Sequence, residues 1–369
     1  MRVLCVIDHF GSGGAQRQMV NLACGLKAES HHVEIFIYHP GQSFFRSAID
    51  LAGIPVHEVS KGQGFSLKVL WSLVRLLRRG RYDAVISFLD APNIYVELAS
   101  IAARPTKVIV SERSSGLADK NRFAAFMRRV LHSLADAVVA NSNSHAAWLR
   151  RYPWLTRKVT AIYNGYSLEP EAFAEDVQVP ELSLLVIGRV GPEKNGIRLV
   201  EALDIFHRRH GYVPKISWAG KEDRSTSGAI YCRSIHTMLD QHAAVKANWT
   251  WLGERKDIPV LLKDHRALIH PSLYEGLPNV VCEALIAGRP VLASNVCDHA
   301  ALVKDRQRGF LFDPLDPKSI ADSIECLVAL SDAQWRAFSA NARSFAVKSL
   351  NIDRMVREYE TLLTDSSGY

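Results

Sequence analysis

Two patterns of apolar and polar positions alternate along the chain. Short runs in which nearly every residue is apolar are separated by longer stretches whose apolar residues recur every three or four positions. The first pattern reads as buried strand and the second as amphipathic helix. "RVLCVID" (2–8) is a strand, a glycine-rich turn follows it, and a helix runs from about Gly14 to Lys27. "VEIFIYH" (33–39) is the next strand, and "DAVISF" (83–88), "TKVIVS" (106–111), "DAVVAN" (136–141) and "KVTAIY" (158–163) continue the series. Such strands separated by helices predict parallel βαβ units. A polar, acidic, proline-bearing stretch at 166–181 interrupts the rhythm, which then restarts. "LSLLVIGRV" (182–190) is a strand, a helix spans about Asn195 to His210, and "KISWAG" (215–220) is a strand. More strands are predicted near 248–253, 266–270 and 290–294, and helical segments at 317–330, 332–347 and 351–364 close the chain. The pattern predicts an α/β protein of two doubly wound domains, 1–168 and 178–347.

Composition adds boundaries to this picture. The chain has 369 residues, 48% hydrophobic and 22% charged, which suits two ordinary globular domains. No apolar run approaches the roughly 18 residues of a membrane-spanning helix. The start "MRVLCVIDHFGSGGAQ" makes a poor secretory leader, because its apolar part reads as the first strand. Six cysteines (5, 24, 232, 282, 297 and 326) are scattered without a CxxC pair, so reduced thiols and a cytoplasmic location are expected. His207 and His210 lack the further ligands of a zinc site, and no metal is expected. Charge is uneven: residues 1–168 carry 21 Lys+Arg against 11 Asp+Glu, and the remainder 24 against 27. The two domains are therefore expected to meet different partners.

In doubly wound sheets, ligands bind beyond the carboxyl ends of the strands. After the first strand stands "HFGSGGAQRQ", where Gly11, Gly13 and Gly14 allow close backbone approach at the start of a helix. It departs from GxGxxG, having Arg17 at the third glycine position. His39 and Pro40 stand where an acidic ribose ligand would end the second strand, so no dinucleotide site is expected. After the first strand of the second half comes "GRVGPEKN". Gly188 permits close approach, while Arg189 and Lys194 offer a planar fork and a compact charge suited to a diphosphate.

Further on, "PSLYEGLPNVVCEALIAGRP" places Glu275 and Glu283 eight residues apart. Pro271, Gly276 and Pro278 punctuate a loop, and a helix from Pro278 stops at Gly288 and Pro290. Val280, Val281, Ala284 and Leu285 are expected to face the core, leaving Glu283 among apolar neighbours and in need of a partner. A ligand hydroxyl would serve; so would a structural arginine or a backbone N–H. Gly253 follows another strand of this half, in "WLGERKDI".

"GGAQR" (13–17), "YNG" (163–165), "GRVGPEKN" and the Glu-x7-Glu of "EGLPNVVCE" together resemble the retaining glycosyltransferases of the family 4 type. That family has the GT-B fold, two Rossmann-like domains facing across a cleft. The four motifs keep its order and spacing over nearly the whole chain, and Glu-x7-Glu is the most specific of them. The resemblance implies that 1–168 binds the acceptor, with part of 348–369 packing back on it, and that 178–347 binds a nucleotide-sugar donor. Arg189, Lys194 and Glu275 would be catalytic: the cations hold the departing diphosphate and Glu275 lies near the donor sugar. Glu283 would accept hydrogen bonds from the ribose. Gly276, Leu277, Pro278 and Gly188 would line the donor, with the N–H groups of Gly276, Leu277 and neighbouring residues meeting sugar hydroxyls or phosphate. Gly13 and Gly14 would close the cleft from the other domain. No cofactor or metal is implied beyond the nucleotide sugar, and the product is an α-linkage. "SERSSG" (111–116) stands where many relatives place a histidine, so Ser111, Glu112 and Arg113 are the acceptor-side candidates. "WAGKED" replaces a frequent Gly-x-Gly and adds Gly220 and Lys221.

The acceptor expected from the resemblance is a lipid-linked or cell-surface glycan precursor, and the donor a UDP-sugar, N-acetylhexosamines included. Residues 66–81, "SLKVLWSLVRLLRRGR", carry five Lys+Arg, with Lys68, Ser72, Arg75 and Arg79 on one helical stripe. "KNRFAAFMRRVLH" (120–132) is a second basic, apolar segment. Either these touch an anionic membrane surface, at the inner face of the cytoplasmic membrane, or they are core helices with solvated basic stripes. No aromatic stacking motif accompanies the charge, so nucleic acid is not expected. Two other functions fit the motifs less closely: a GT-B-fold sugar-nucleotide epimerase, and a catalytically silent nucleotide-sugar-binding partner.

Overall fold

A computed structural model of the chain describes residues 1–103, 105, 107–113, 122–168, 178–223 and 225–365. The chain divides into two compact units, Met1–Ser167 with Leu350–Tyr369, and Leu168–Ser349.

The described residues of the first unit form a seven-stranded sheet of β1 (Arg2–Val6), β2 (His32–Ile37), β3 (Val56–Glu58), β4 (Ala84–Phe88), β5 (Lys107–Glu112), β6 (Ala137–Ala140) and β7 (Val159–Ala161). Its order is β3-β2-β1-β4-β5-β6-β7, parallel throughout, with Val3 opposite both Val33 and Ala84. Both faces are covered, which is why the strands read as unbroken apolar runs. Val3 and Cys5 point to one layer, with Met19 and Leu26, while Leu4 and Val6 point to the other, with Leu73 and Val96. The terminal helix Ile352–Thr364 lies on the first layer through Val356 and Tyr359. It packs against the helix Gly14–Ala28 at Gly25, where a Cβ would come within 2.3 Å of Val356 Cγ2.

The second unit repeats the plan with β8 (Ser183–Ile187), β9 (Lys215–Ala219), β10 (Trp249–Gly253), β11 (Ala267–His270), β12 (Val291–Ser294) and β13 (Gly309–Phe312). The order is β10-β9-β8-β11-β12-β13, again parallel. Its core is built around Trp218, Phe206 and Trp335. In each sheet the strand order reverses beside the first strand, between β1 and β4 and between β8 and β11. Loops on either side of such a reversal diverge and leave a crevice at the carboxyl ends.

Two strands were not legible beforehand. β3 is three partly exposed residues, "VHE", and β13 is the four-residue "GFLF", both too short to show a period. All six cysteines lack a disulfide. Among the described residues no helix is long and apolar enough to cross a membrane.

Candidate donor-sugar site

The site grows from the reversal between β8 and β11. β8 ends at Ile187, and Gly188 follows with φ +145. A Cβ there would meet Lys194 Cε at 2.8 Å, so glycine leaves room for the lysine stem to lie across the strand end. Pro192–Lys194 form a single 3-10 turn, and Asn195, at φ +57, swings the chain into the helix Gly196–His210. That conformation is one asparagine tolerates better than most residues, and its side-chain amide donates to the Pro314 carbonyl at 2.7 Å. The loop after β11 is tied to this turn, since Leu273 N–H donates to the Glu193 carbonyl at 2.9 Å.

Lys194 and Glu275 meet here, with Nζ 2.5 Å from Oε1. His270, the last residue of β11, stands behind the same oxygen with Nε2 at 3.0 Å, and Ser272 Oγ lies 3.1 Å from that nitrogen. Burial pushes the Glu275 carboxyl up, but the hydrogen bond from His270 and the charge of Lys194 outweigh it and hold the group well below the usual carboxylate range. Burial, and then Lys194, lower the His270 imidazole, so the ring is neutral at pH 7 and donates through Nε2–H. His299 packs edge-on against it, with centroids 5.3 Å apart. Burial and the neighbouring His270 push His299 down to about 4, and its Nδ1 lies 2.8 Å from the Ser294 carbonyl. A fixed cation and anion therefore rest on two neutral imidazoles. Neither histidine was singled out from sequence. The available signal for His270 was its place at the carboxyl end of a strand, just before the Glu275 loop.

Arg189 is half exposed, with Nη2 2.9 Å from Glu193 Oε1 and Nη1 3.4 Å from Asp223 Oδ2. Val280 corrects an expectation. On the helix Asn279–Ile286 the buried positions are Val281, Cys282, Ala284 and Leu285, while Glu283 and Val280 are both part-exposed. Cys282 takes the core place expected of Val280. Leu277 and Pro278 are buried at the start of this helix, and Gly276 is part-exposed. Gly220 serves packing, because a Cβ would fall 1.9 Å from the Gly188 carbonyl oxygen. Lys221 pairs at 3.6 Å with Glu254 on the surface. On the β12–β13 side of the Glu275 loop lies a groove of about 600 Å³, lined by Leu273, Asn295, Asp313, Leu315 and Ser319 among others.

In the first unit, Gly13 caps the helix that begins at Gly14. The "YNG" motif is fastened to that helix: Gln18 Oε1 accepts from Gly165 N–H at 2.9 Å, and Asn21 Nδ2 donates to the Gly165 carbonyl at 3.0 Å. Asn164 Oδ1 accepts from Arg113 Nη1 at 2.5 Å. Arg113 also donates to Tyr359 Oη and stacks 3.7 Å above the Phe88 ring. Its neighbours change the reading of the acceptor side. Ser111 is fully buried, its hydroxyl on the Val139 carbonyl at 3.0 Å. Glu112, 1% exposed, is held by His132 at 3.1 Å and His145 at 2.9 Å. They sit on β5, a central strand covered on both faces, so neither presents a surface to an acceptor. The further serines of "SERSSG", 114 and 115, lie outside the described residues.

Comparison with known proteins agrees with this construction. Residues 12–170 match the family described as Glycosyltransferase Family 4, and residues 181–329 that described as Glycosyl transferases group 1. An α-1,4-N-acetyl-D-galactosaminyltransferase of Campylobacter jejuni, which acts on a saccharide carried by diphospho-undecaprenol, is 25% identical over 99% of both chains. A UDP-Gal:α-D-GlcNAc-diphosphoundecaprenol α-1,3-galactosyltransferase of Escherichia coli is 25% identical over 81% of this chain and 79% of that one. The Anabaena protein HepE, solved in complex with UDP, superposes with a TM-score of 0.82 at 18% identity, covering 99% of this chain and 100% of the other. The two units are thus the two Rossmann-like domains of the GT-B fold. The chain belongs to the family 4 glycosyltransferases and is a glycosyltransferase enzyme.

Proposed function

We propose that the chain is a retaining, metal-independent glycosyltransferase that takes a sugar from a UDP-sugar and forms an α-linkage on a lipid-linked glycan precursor. The observation that carries this reading is the Lys194–Glu275 pair beside Arg189, at the strand-order reversal of the second unit. Sugar transfer from a nucleotide donor passes through an oxocarbenium-like state while negative charge gathers on the leaving diphosphate. Arg189 and Lys194 answer that charge from fixed positions, the role a divalent cation would otherwise fill. Glu275, kept ionised, faces the sugar, and Glu283, part-exposed on its helix, accepts from the ribose hydroxyls. Gly276, Leu277 and Gly188 bring main chain close to the donor. No side chain is assigned as nucleophile. The C. jejuni and E. coli relatives act on undecaprenol-linked substrates and HepE binds UDP, which supports this choice of acceptor and base. The C. jejuni relative also favours an N-acetylhexosamine as the sugar.

The test is calorimetric titration with UDP, GDP and ADP in EDTA. UDP is expected to bind in the micromolar range and the others much more weakly, with Glu283→Ala losing roughly tenfold, as deletion of a charge-assisted hydrogen bond would. Equal binding of all three would remove the uridine assignment, and wild-type affinity in the variant would remove the ribose role.

The enzyme is expected to work peripherally on the inner face of the cytoplasmic membrane. Leu67 and Trp71 are exposed on the helix Leu67–Gly80 with Lys68 and Arg75, Phe65 is exposed just before its N-cap, and Phe123 and Met127 are exposed on the helix Arg122–Leu131. Apolar rings among cations suit an anionic bilayer. Flotation with vesicles containing phosphatidylglycerol should carry the protein up, and Trp71→Glu with Leu67→Glu should leave it at the bottom. Flotation unaffected by the substitutions would assign these side chains no lipid role.

A further inference from the structure

The loop after β12 contains a residue in a conformation that suits it poorly. Cys297 has φ +49, in the left-handed region where a Cβ carries a steric penalty and glycine does not. Its side chain has a compensating position. The sulfur lies 2.9 Å from the Glu275 carbonyl oxygen, to which the thiol donates, and 3.4 Å from the Glu275 nitrogen, whose N–H it accepts. One sulfur thus engages both main-chain polar groups of Glu275. Glu275 itself sits in a turn outside any strand or helix, between β11 and the helix Asn279–Ile286.

We propose that Cys297 is a positioning residue for sugar transfer: it clasps the main chain of Glu275 and so fixes the carboxylate against Lys194 and His270. This rests on the assignment of Glu275 to the donor site. The geometry requires a protonated thiol for the carbonyl contact, and burial raises the Cys297 thiol above its ordinary range, keeping it protonated at neutral pH. A flexible turn would let Glu275 wander by more than the few tenths of an ångström that such a site tolerates. The cysteine therefore exchanges local backbone ease for a fixed turn. It also makes the site thiol-sensitive, since any group added to this sulfur removes both hydrogen bonds.

Two variants separate clasp from packing. Cys297→Gly relieves the left-handed backbone but deletes both contacts, and Cys297→Ser retains a donor and acceptor at nearly the same place. Amide hydrogen exchange of residues 273–277, followed by mass spectrometry on the full chain, is expected to accelerate roughly tenfold in Cys297→Gly, as the loss of two hydrogen bonds implies. Cys297→Ser should restore most of the protection. The melting temperature of Cys297→Gly should stay at or above that of the wild type, so that the faster exchange reports the turn and not the domain. In calorimetry, the gain in affinity of UDP-glucose or UDP-N-acetylglucosamine over UDP should shrink in Cys297→Gly and return in Cys297→Ser. Unchanged exchange in Cys297→Gly, or acceleration in Cys297→Ser equal to that in Cys297→Gly, overturns the clasp. A wild-type protein that binds no UDP, yet shows the exchange pattern, would leave the clasp standing and instead overturn the donor-site assignment.

Discussion

Lys194→Ala is expected to lower turnover by roughly 10²–10³-fold, the usual consequence of removing one preorganised donor from a developing anion. The lysine is well placed to have so large an effect. Its stem is fixed by the notch at Gly188 and its charge by Glu275, so little reorganisation remains when the diphosphate begins to leave. Arg189 is more exposed and is shared between Glu193 and Asp223, so Arg189→Ala should cost less on its own. The double variant should fall further than either. Lys194→Ala also strips Glu275 of its cation and leaves a part-buried carboxylate against the neutral His270, which adds a stability penalty. Adding Glu275→Gln to Lys194→Ala isolates the stability effect: removing the stranded charge should recover the melting temperature, while the rate, with both groups gone, stays low. Steady-state transfer and thermal unfolding, measured on the same preparations, check both halves. A Lys194→Ala enzyme with wild-type turnover would dissolve the proposed site.

The candidate site could be proposed from sequence where chemistry depends on residue type at a strand end: Gly188, Arg189, Lys194 and Glu275 follow strands of a doubly wound sheet, where ligands gather, and Glu283 stands on the helix after them. Apart from the short β3 and β13, the strands of both sheets were visible as apolar runs because parallel strands are covered on both faces. What the sequence hid was three-dimensional pairing. His270 looked like the end of a strand, and only the loop's return onto Lys194 shows that it backs the Glu275 carboxylate. Cys297 reads as one scattered thiol until its φ angle and its contacts with Glu275 are known. The helix after the Glu275 loop was misread at Val280, because on an eight-residue helix a single 100° step separates a core position such as Val281 from a part-exposed one. The acceptor-side reading of Ser111 and Glu112 failed similarly, because a motif position at the end of β5 says nothing of how far the covering helices extend.

Glu112→Ala should instead produce the largest loss of stability in the first unit. The carboxylate is buried with His132 and His145 on its two oxygens, Arg129 3.7 Å away, and Glu97 2.5 Å from the far nitrogen of His132. Burial raises the Glu97 carboxyl and the hydrogen bond to His132 opposes this; with carboxylate oxygens at both nitrogens the ring donates through each as an imidazolium. Burial pushes the His132 imidazolium down, but its hydrogen bonds to Glu112 and Glu97 outweigh it and raise the group to about 9 from 6.5. Removing Glu112 leaves buried cations short of their anion, which typically costs about 3–5 kcal/mol. For a unit of this size that is a fall in its melting temperature of roughly 10 °C. The pH dependence follows from the raised His132 value. Its contribution is complete below its unfolded value of 6.5 and is lost as pH rises through about 9. Wild-type thermal stability of this unit should therefore decline between those limits, and Glu112→Gln should flatten the decline because His132 keeps only Glu97. A residue that touched the acceptor would behave differently: Glu112→Gln would raise the acceptor KM and leave both the melting temperature and its pH profile where they were.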